Sequence, residues 1–173
     1  TVPHQRLLVK LEGYGVTGKL LEWFRDFLIG RRQRVAVAGS FASWSSVLSG
    51  IPQGSVLGPV MFICYINDLP ENIASFIFLY ADDTKIFRRV ENDADRQALQ
   101  KAMDHLAEWA KTWQLRFNIE KCKTMHLGTN NRHDIYSMAR PEDGQRMELK
   151  ETTEEKDLGV WTDCSAKPSN HVA

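Results

Sequence analysis

Apolar residues recur at helical spacing in two stretches of the chain. Elsewhere they alternate with polar ones or cluster in short runs. Leu20, Leu21, Phe24, Phe27 and Leu28 step by threes and fours, which marks one apolar stripe on an α-helix. Thr17 stands where an N-cap belongs and Gly30 where the helix stops, so the pattern predicts a helix over about residues 17–30. Leu99, Met103, Leu106, Ala110 and Trp113 repeat the same stepping, with Asn92 or Asp93 placed as the cap of that second helix. Between them, residues 33–38 alternate Val35 and Val37 with small or polar residues. That segment reads as a strand, with a turn at Gly39-Ser40 and a second strand over residues 44–48.

Gly50-Ile51-Pro52-Gln53-Gly54-Ser55 holds two glycines and a proline and forms a loop. Pro59 suits the first residue of the next helix, which is predicted to run to about Leu69, where Pro70 ends it. That helix is apolar on nearly all sides, so burial is expected. Residues 73–80 are rich in β-branched and aromatic residues and read as a buried strand. Ala81-Asp82-Asp83 makes a turn and residues 84–89 return, giving a β-hairpin with two carboxylates at its tip. Residues 121–127 read as a strand ended by Gly128. Residues 129–146 are polar and read as a loop with a turn at 141–144, and residues 156–162 as a short strand. Helices mixed with a short antiparallel hairpin favour an α+β fold.

A length of 173 residues, 43% of them hydrophobic, allows one ordinary domain with a real core. The longest apolar run, residues 56–66, contains Gly58 and Pro59 and is too short to span a bilayer, so no membrane partner is expected. The start, Thr1-Val2-Pro3-His4-Gln5-Arg6, lacks the apolar stretch of a signal peptide. It also lacks Met, as the interior of a larger protein would. Cys64, Cys122 and Cys164 form no CxxC pair, so neither a zinc site nor a disulfide framework is expected, and the setting is a reducing, intracellular one.

The net charge is zero, with 22 basic and 22 acidic residues, which by itself argues mildly against nucleic-acid binding. The distribution changes that picture. Residues 41–84 contain no Lys or Arg but hold Asp68, Glu71, Asp82 and Asp83, a charge of −4. Basic residues lie outside it, most densely at Arg31, Arg32 and Arg34. An acidic centre with a basic periphery suits a site where metal ions supply positive charge and the surroundings hold phosphates. A buried apolar middle that excludes Lys for packing reasons explains the same distribution.

Two adjacent acids after six largely apolar residues repel each other, and turn chemistry prefers Asp-Gly or Asn-Gly. A divalent cation with oxygen ligands offsets the repulsion; two such ions about 3.5–4 Å apart polarise both oxygens of a phosphoryl transfer. A solvated turn with two exposed acids is the alternative.

The pair does not stand alone. Phe78-Leu79-Tyr80-Ala81-Asp82-Asp83-Thr84 resembles motif C of reverse transcriptases. Residues 50–59 with Phe62 and Ile66-Asn67-Asp68-Leu69 resemble their motif B. Trp113-Gln114-Leu115-Arg116-Phe117-Asn118-Ile119-Glu120-Lys121-Cys122-Lys123 resembles motif D, and Lys156-Asp157-Leu158-Gly159-Val160 motif E. The wording is that of LINE-type, jockey-like non-LTR retrotransposon polymerases, in order and over essentially the whole chain.

The resemblance implies a reverse-transcriptase palm, an antiparallel sheet with packed helices, in incomplete form. Residues 1–128 would carry palm and partial fingers with motifs B, C and D, and residues 129–173 a polar loop and the motif E region leading toward a thumb. It implies an RNA-directed DNA polymerase that takes an RNA template, a DNA primer and dNTPs, uses two Mg²⁺ or Mn²⁺ ions and belongs to a larger retrotransposon polyprotein with nuclear access. Asp82 is then the principal metal ligand of this chain and Asp83 the second acid. Tyr80 lies beside the primer end or nucleotide, and Gln53 and Gly54 contact template and nucleotide. Lys121 stands near the triphosphate as a candidate proton donor to pyrophosphate, with Lys123 two residues on as the alternative. Arg31, Arg32 and Arg34 either hold nucleic-acid phosphates or sit at a solvated helix end favoured by its dipole.

In that family the segment matching Thr1-Val2-Pro3-His4 follows motif A, which supplies another metal-binding aspartate and an aromatic that screens the sugar 2′-position. Neither occurs within these 173 residues, and Asp26 lies inside an amphipathic helix. The expectation is that motif A, most of the fingers and the thumb lie outside this sequence, and that an unpaired sheet edge and apolar surface result. The alternative is a catalytically inactive remnant, at most a weak nucleic-acid-binding or structural fragment.

Overall fold

A computed structural model of the chain describes residues 1–128, 130–140 and 143–165. They combine α-helices with short strands, the α+β content that the pattern predicts. Backbone contacts divide the chain into two compact units. One comprises Thr1–Asn72, Phe78–Thr84 and Ala110–Arg116; the other comprises Ile73–Ile77, Lys85–Trp109 and the described residues from Phe117 onward.

In the first unit, α1 (His4–Gly13) buries Leu7, Leu8 and Leu11 together with His4 and Lys10. It packs on α2 (Gly18–Leu28) and α3 (Leu57–Ile66). Apolar spacing alone does not announce α1, because two of its five buried side chains are polar. Helix α2 lies where predicted, although the Thr17 side chain makes no capping hydrogen bond.

The region expected to form two strands is a broken ribbon. β1 (Arg32–Gln33) pairs with β4 (Ser45–Ser46), and β2 (Ala36–Val37) with β3 (Ser40–Phe41), both antiparallel. The turn falls at Ala38 and Gly39, with φ of 47° and 81°, one residue earlier than expected. Residues 32–46 are exposed throughout, so no packed face enforces a longer regular ladder.

Helix α3 starts at Leu57, two residues before Pro59, because Ser55 closes its first turn. The Ser55 hydroxyl accepts the Gly58 N–H at 3.0 Å and donates to the Pro52 carbonyl at 2.8 Å. The helix ends at Ile66, short of Leu69. It is not buried all round: Met61, Tyr65 and Ile66 are covered, whereas Val60 and Ile63 are more than half exposed.

β5 (Phe76–Tyr80) and β6 (Asp83–Phe87) form the expected hairpin, joined through Ala81 and Asp82. β5 is not the buried strand predicted. Phe76, Phe78 and Tyr80 on one face are exposed, and only the alternate face is half covered, since among the described residues neither strand has a second partner. The single antiparallel sheet implied by the resemblance is likewise absent from the described residues. Their strands form six separate two-stranded sheets.

Asn92 caps α4 (Asp93–Trp113), whose residues up to Trp109 belong to the second unit, by accepting the Asp95 N–H at 3.0 Å. The predicted stripe is buried at Met103, Leu106 and Ala110, joined by Ala102 and Trp109. The stretch 129–146 is not wholly loop. β8 (Ser137–Ala139) pairs with β9 (Arg146–Glu148), with Tyr136 and Met138 buried beneath. The Gln100 amide anchors it, donating to the Ser137 carbonyl at 2.8 Å and accepting its N–H at 3.1 Å. Of the turn predicted at 141–144, Pro141 and Glu142 lie outside the described residues.

The strand expected over 121–127 shrinks to β7 (Lys123–Thr124), which pairs in parallel with β10 (Lys150–Glu151). Ile119–Lys121 form a 3-10 turn instead, in which the Ile119 side chain is buried. The strand expected over 156–162 is two strands, β11 (Glu154–Asp157) and β12 (Val160–Asp163). Leu158 and Gly159 turn between them with φ of 46° and 88°, a conformation that leucine rarely takes.

Candidate functional site

The two-residue turn of the β5–β6 hairpin sets Asp82 at the tip and makes Asp83 the first residue of β6. Ala81 turns with φ 51°, a left-handed conformation that costs a residue with a Cβ about 1–2 kcal/mol. Asp82 and Asp83 are both exposed. Among the described residues neither side chain has a cation beside it: Lys85, on the same strand, is engaged by Asp157. Two adjacent carboxylates with no such counter-charge fit a hard divalent cation with oxygen ligands.

Tyr80, Leu79 and Ala81 line one groove with Pro59, Phe62, Ile63, Ile66 and Asn67, a space of about 480 Å³. Helix α3 and the end of β5 therefore face one groove, and the Tyr80 ring stands exposed. Gln53 and Gly54 form the exposed turn of the loop that leads into α3, and Gly54 has φ 79°, which suits glycine. The loop is tied at both ends. At its start, the Gly50 carbonyl accepts from Arg31 at 2.9 Å and from His4 Nε2 at 2.8 Å, while the Gly50 N–H donates to the Val2 carbonyl at 2.7 Å. At its end, Gly58 lies so close that a Cβ there would sit 3.0 Å from the Pro52 carbonyl oxygen and 3.2 Å from Ser55 Oγ.

The three arginines do not act as one cluster. Arg31 is half-buried, and its Nε also donates to the Leu28 carbonyl at 3.0 Å. It therefore caps α2, the helix-end alternative weighed from sequence. Arg32 and Arg34 are exposed. Arg34 lies over the rings of Phe41 at 4.0 Å and Trp44 at 4.7 Å, and Arg32 over Trp44 at 5.8 Å. Guanidinium groups on exposed aromatics suit single-stranded nucleic acid.

Lys121 belongs to the second unit, where it closes the 3-10 turn with its side chain exposed. Lys123, its alternative, starts β7 and pairs with Glu155 at 2.5 Å. The two lysines do not share a strand face.

The sequence pattern misses Lys10. Its ammonium is buried, donates to the Tyr65 carbonyl at 2.5 Å, pairs with Asp68 and lies 3.9 Å from the Trp113 ring centroid. Burial lowers its pKa, and Asp68 opposes that shift. Tyr65, whose hydroxyl donates to the Trp113 carbonyl, is pushed up to about 12, chiefly by burial. Lys10 thus anchors the C-terminal end of α3, the helix that the Gly50–Ser55 residues introduce. The spacing of Lys10 three residues after Leu7 was the one available signal.

The chain belongs to the reverse transcriptase (RNA-dependent DNA polymerase) family, whose model matches residues 1–162. It is 30% identical to the RNA-directed DNA polymerase from mobile element jockey of Drosophila funebris, over 98% of this chain and 19% of that protein. The Drosophila melanogaster protein of the same description is 34% identical over 57% of this chain and 12% of its own length. A probable RNA-directed DNA polymerase from transposon X-element of Drosophila melanogaster is 33% identical, over 56% of this chain and 11% of its own length. The chain thus spans less than a fifth of these relatives. The jockey-like assignment made from motifs B to E agrees with them.

Proposed function

We propose that this chain is the palm portion of an RNA-directed DNA polymerase and that Asp82 and Asp83 are its metal-binding acids. One observation carries the reading: residues of α3 line a groove with Leu79, Tyr80 and Ala81, and directly after them in the chain come two adjacent exposed carboxylates with no counter-charge among the described residues. The reaction is attack of a primer 3′-hydroxyl on the α-phosphate of a dNTP, directed by an RNA template, with pyrophosphate as leaving group. Divalent ions, Mg²⁺ or Mn²⁺, would supply the charge that stabilises both the attacking and the leaving oxygen. Asp82 and Asp83 would hold them, together with the motif A aspartate that the family resemblance implies. Gln53 and Gly54 approach template and nucleotide through an exposed backbone turn, and Tyr80 offers a flat surface to the primer end or nucleotide. Lys121 is proposed to protonate the departing pyrophosphate. Arg32 and Arg34 hold nucleic-acid strand by charge and stacking; Arg31 serves the fold.

A second reading, a non-catalytic nucleic-acid-binding remnant, is favoured by the open apolar faces of β5 and α3. RNA-templated primer extension by a polypeptide that joins these residues to the segment preceding them separates the two. Mg²⁺-dependent dNTP incorporation supports the polymerase; binding of nucleic acid without incorporation supports the remnant.

A further inference from the structure

We propose that His126, His133 and Glu151 form a zinc site that clips the loop before β8 to the β7–β10 pair. All three belong to the second unit, and their candidate ligand atoms lie within 4.8 Å of one another. The parallel pairing of β7 with β10 sets Glu151 opposite Thr124, and the Thr152 N–H donates to the Thr124 carbonyl at 2.9 Å. Glu151 therefore stands on the strand beside the one that His126 follows by two residues. His133 comes from a third segment. It turns with φ 52°, its own N–H donating to Asn131 Oδ1 at 3.3 Å. That turn brings its ring to 4.9 Å from the His126 ring, centroid to centroid, and its Nδ1 to 2.7 Å from Glu151 Oε1. The buried Tyr136 ring lies 6.4 Å from the His126 ring, centroid to centroid.

Three observations favour a metal over a plain His–Glu hydrogen bond. A single hydrogen bond explains one imidazole and one carboxylate, but not a second imidazole in the same cluster. Two imidazoles and one carboxylate are the donor set of a borderline cation, whereas Mg²⁺ and Ca²⁺ take oxygen ligands. With Zn–N and Zn–O distances near 2.0–2.2 Å, tetrahedral ligand atoms lie about 3.3–3.6 Å apart. The His133–Glu151 contact has to open by less than an ångström and the longest separation to close by a little over one, movements open to exposed side chains. Zinc would take two neutral imidazoles and one carboxylate and leave a fourth position for water. Its role is to hold the loop, since three ligands from three segments are joined. The cysteine pattern gives no hint of this, because none of the three ligands is a cysteine and they are spread over residues 126–151.

The test is titration of the EDTA-stripped 173-residue chain with ZnCl₂ by calorimetry, repeated with Co²⁺ to read ligand-field absorption. One saturable zinc per chain is expected, with a Co²⁺ spectrum of four-coordinate type and a higher melting temperature when zinc is present. His126→Ala and His133→Ala should each lose binding by at least about tenfold, as should Glu151→Gln, while His105→Ala, an exposed histidine elsewhere, leaves it unchanged. Absence of saturable zinc binding by a chain that is folded by circular dichroism overturns the proposal. So does binding that survives His126→Ala and His133→Ala together.

Discussion

The guanidinium of Arg31 donates to the Gly50 carbonyl at 2.9 Å while its Nε–H donates to the Leu28 carbonyl at 3.0 Å. One side chain thus closes the end of α2 and holds the start of the loop that presents Gln53 and Gly54. Arg31→Ala should cost about 1–2 kcal/mol of stability, because it leaves two carbonyls without their charged donor. Arg34→Ala should stay within about 0.5 kcal/mol, since Arg34 is exposed and lies over the rings of Phe41 and Trp44. Urea denaturation of the two variants side by side checks this. Equal stability would remove Arg31 from its clamping role.

Gly58 carries a prediction of opposite sign to the usual rule. In an ordinary helix Gly→Ala gains up to about 1 kcal/mol. Here a Cβ would press on the Pro52 carbonyl and Ser55 Oγ at 3.0 and 3.2 Å, the two groups that close the loop onto α3. Gly58→Ala should therefore lower stability by about 1 kcal/mol or more, read as a fall in melting temperature. A rise would mean that the loop is free to give way.

Alkaline pH tests the buried cluster beneath α3. The Tyr65 phenol titrates at about 12 in the fold against about 10 when unfolded. A group raised in this way contributes stability that is full below pH 10 and lost as pH rises through 12. Lys10 acts oppositely: burial lowers its pKa, so its own contribution rises as pH climbs toward the unfolded value near 10.4. Tyr65→Phe should remove the Tyr65 share of the decline between pH 10 and 12, at a cost of roughly 1 kcal/mol at neutral pH for the lost hydrogen bond to Trp113. Denaturation curves across that window check it; an unchanged slope in the variant would contradict the burial assigned to Tyr65.

Much of the fold is legible where one element decides its own form. Helices α2 and α4 follow from three-and-four spacing, and the β5–β6 hairpin from an apolar run that meets two acids. What stays hidden depends on distant partners. Lys10 is buried because Asp68, 58 residues away, and Trp113 receive its charge, and with it goes helix α1. Arg31 separates from Arg32 and Arg34 only through the carbonyls of Leu28 and Gly50. Turns through Ala38, Ala81 and Leu158 place non-glycine residues at positive φ, which composition does not announce. The burial predicted for β5 and α3 needs a covering surface, and strand propensity alone does not supply one. For the site, Asp82 and Asp83 are readable as a motif, whereas the groove that α3 shares with Leu79, Tyr80 and Ala81 is visible only in three dimensions.

If Asp82 binds the catalytic metal of an RNA-directed DNA polymerase, its carboxylate is indispensable to nucleotide incorporation. The most direct measurement is the rate of Mg²⁺-dependent dNTP incorporation on an RNA-templated primer, with these residues joined to the segment that precedes them. Asp82→Ala is compared with Asp26→Ala, an exposed acid on α2. Asp82→Ala should lower the rate about a thousandfold or more, the loss of several kcal/mol of transition-state stabilisation, while Asp26→Ala leaves it unchanged. Incorporation by the Asp82→Ala protein at the rate of the unaltered one would contradict that role for Asp82.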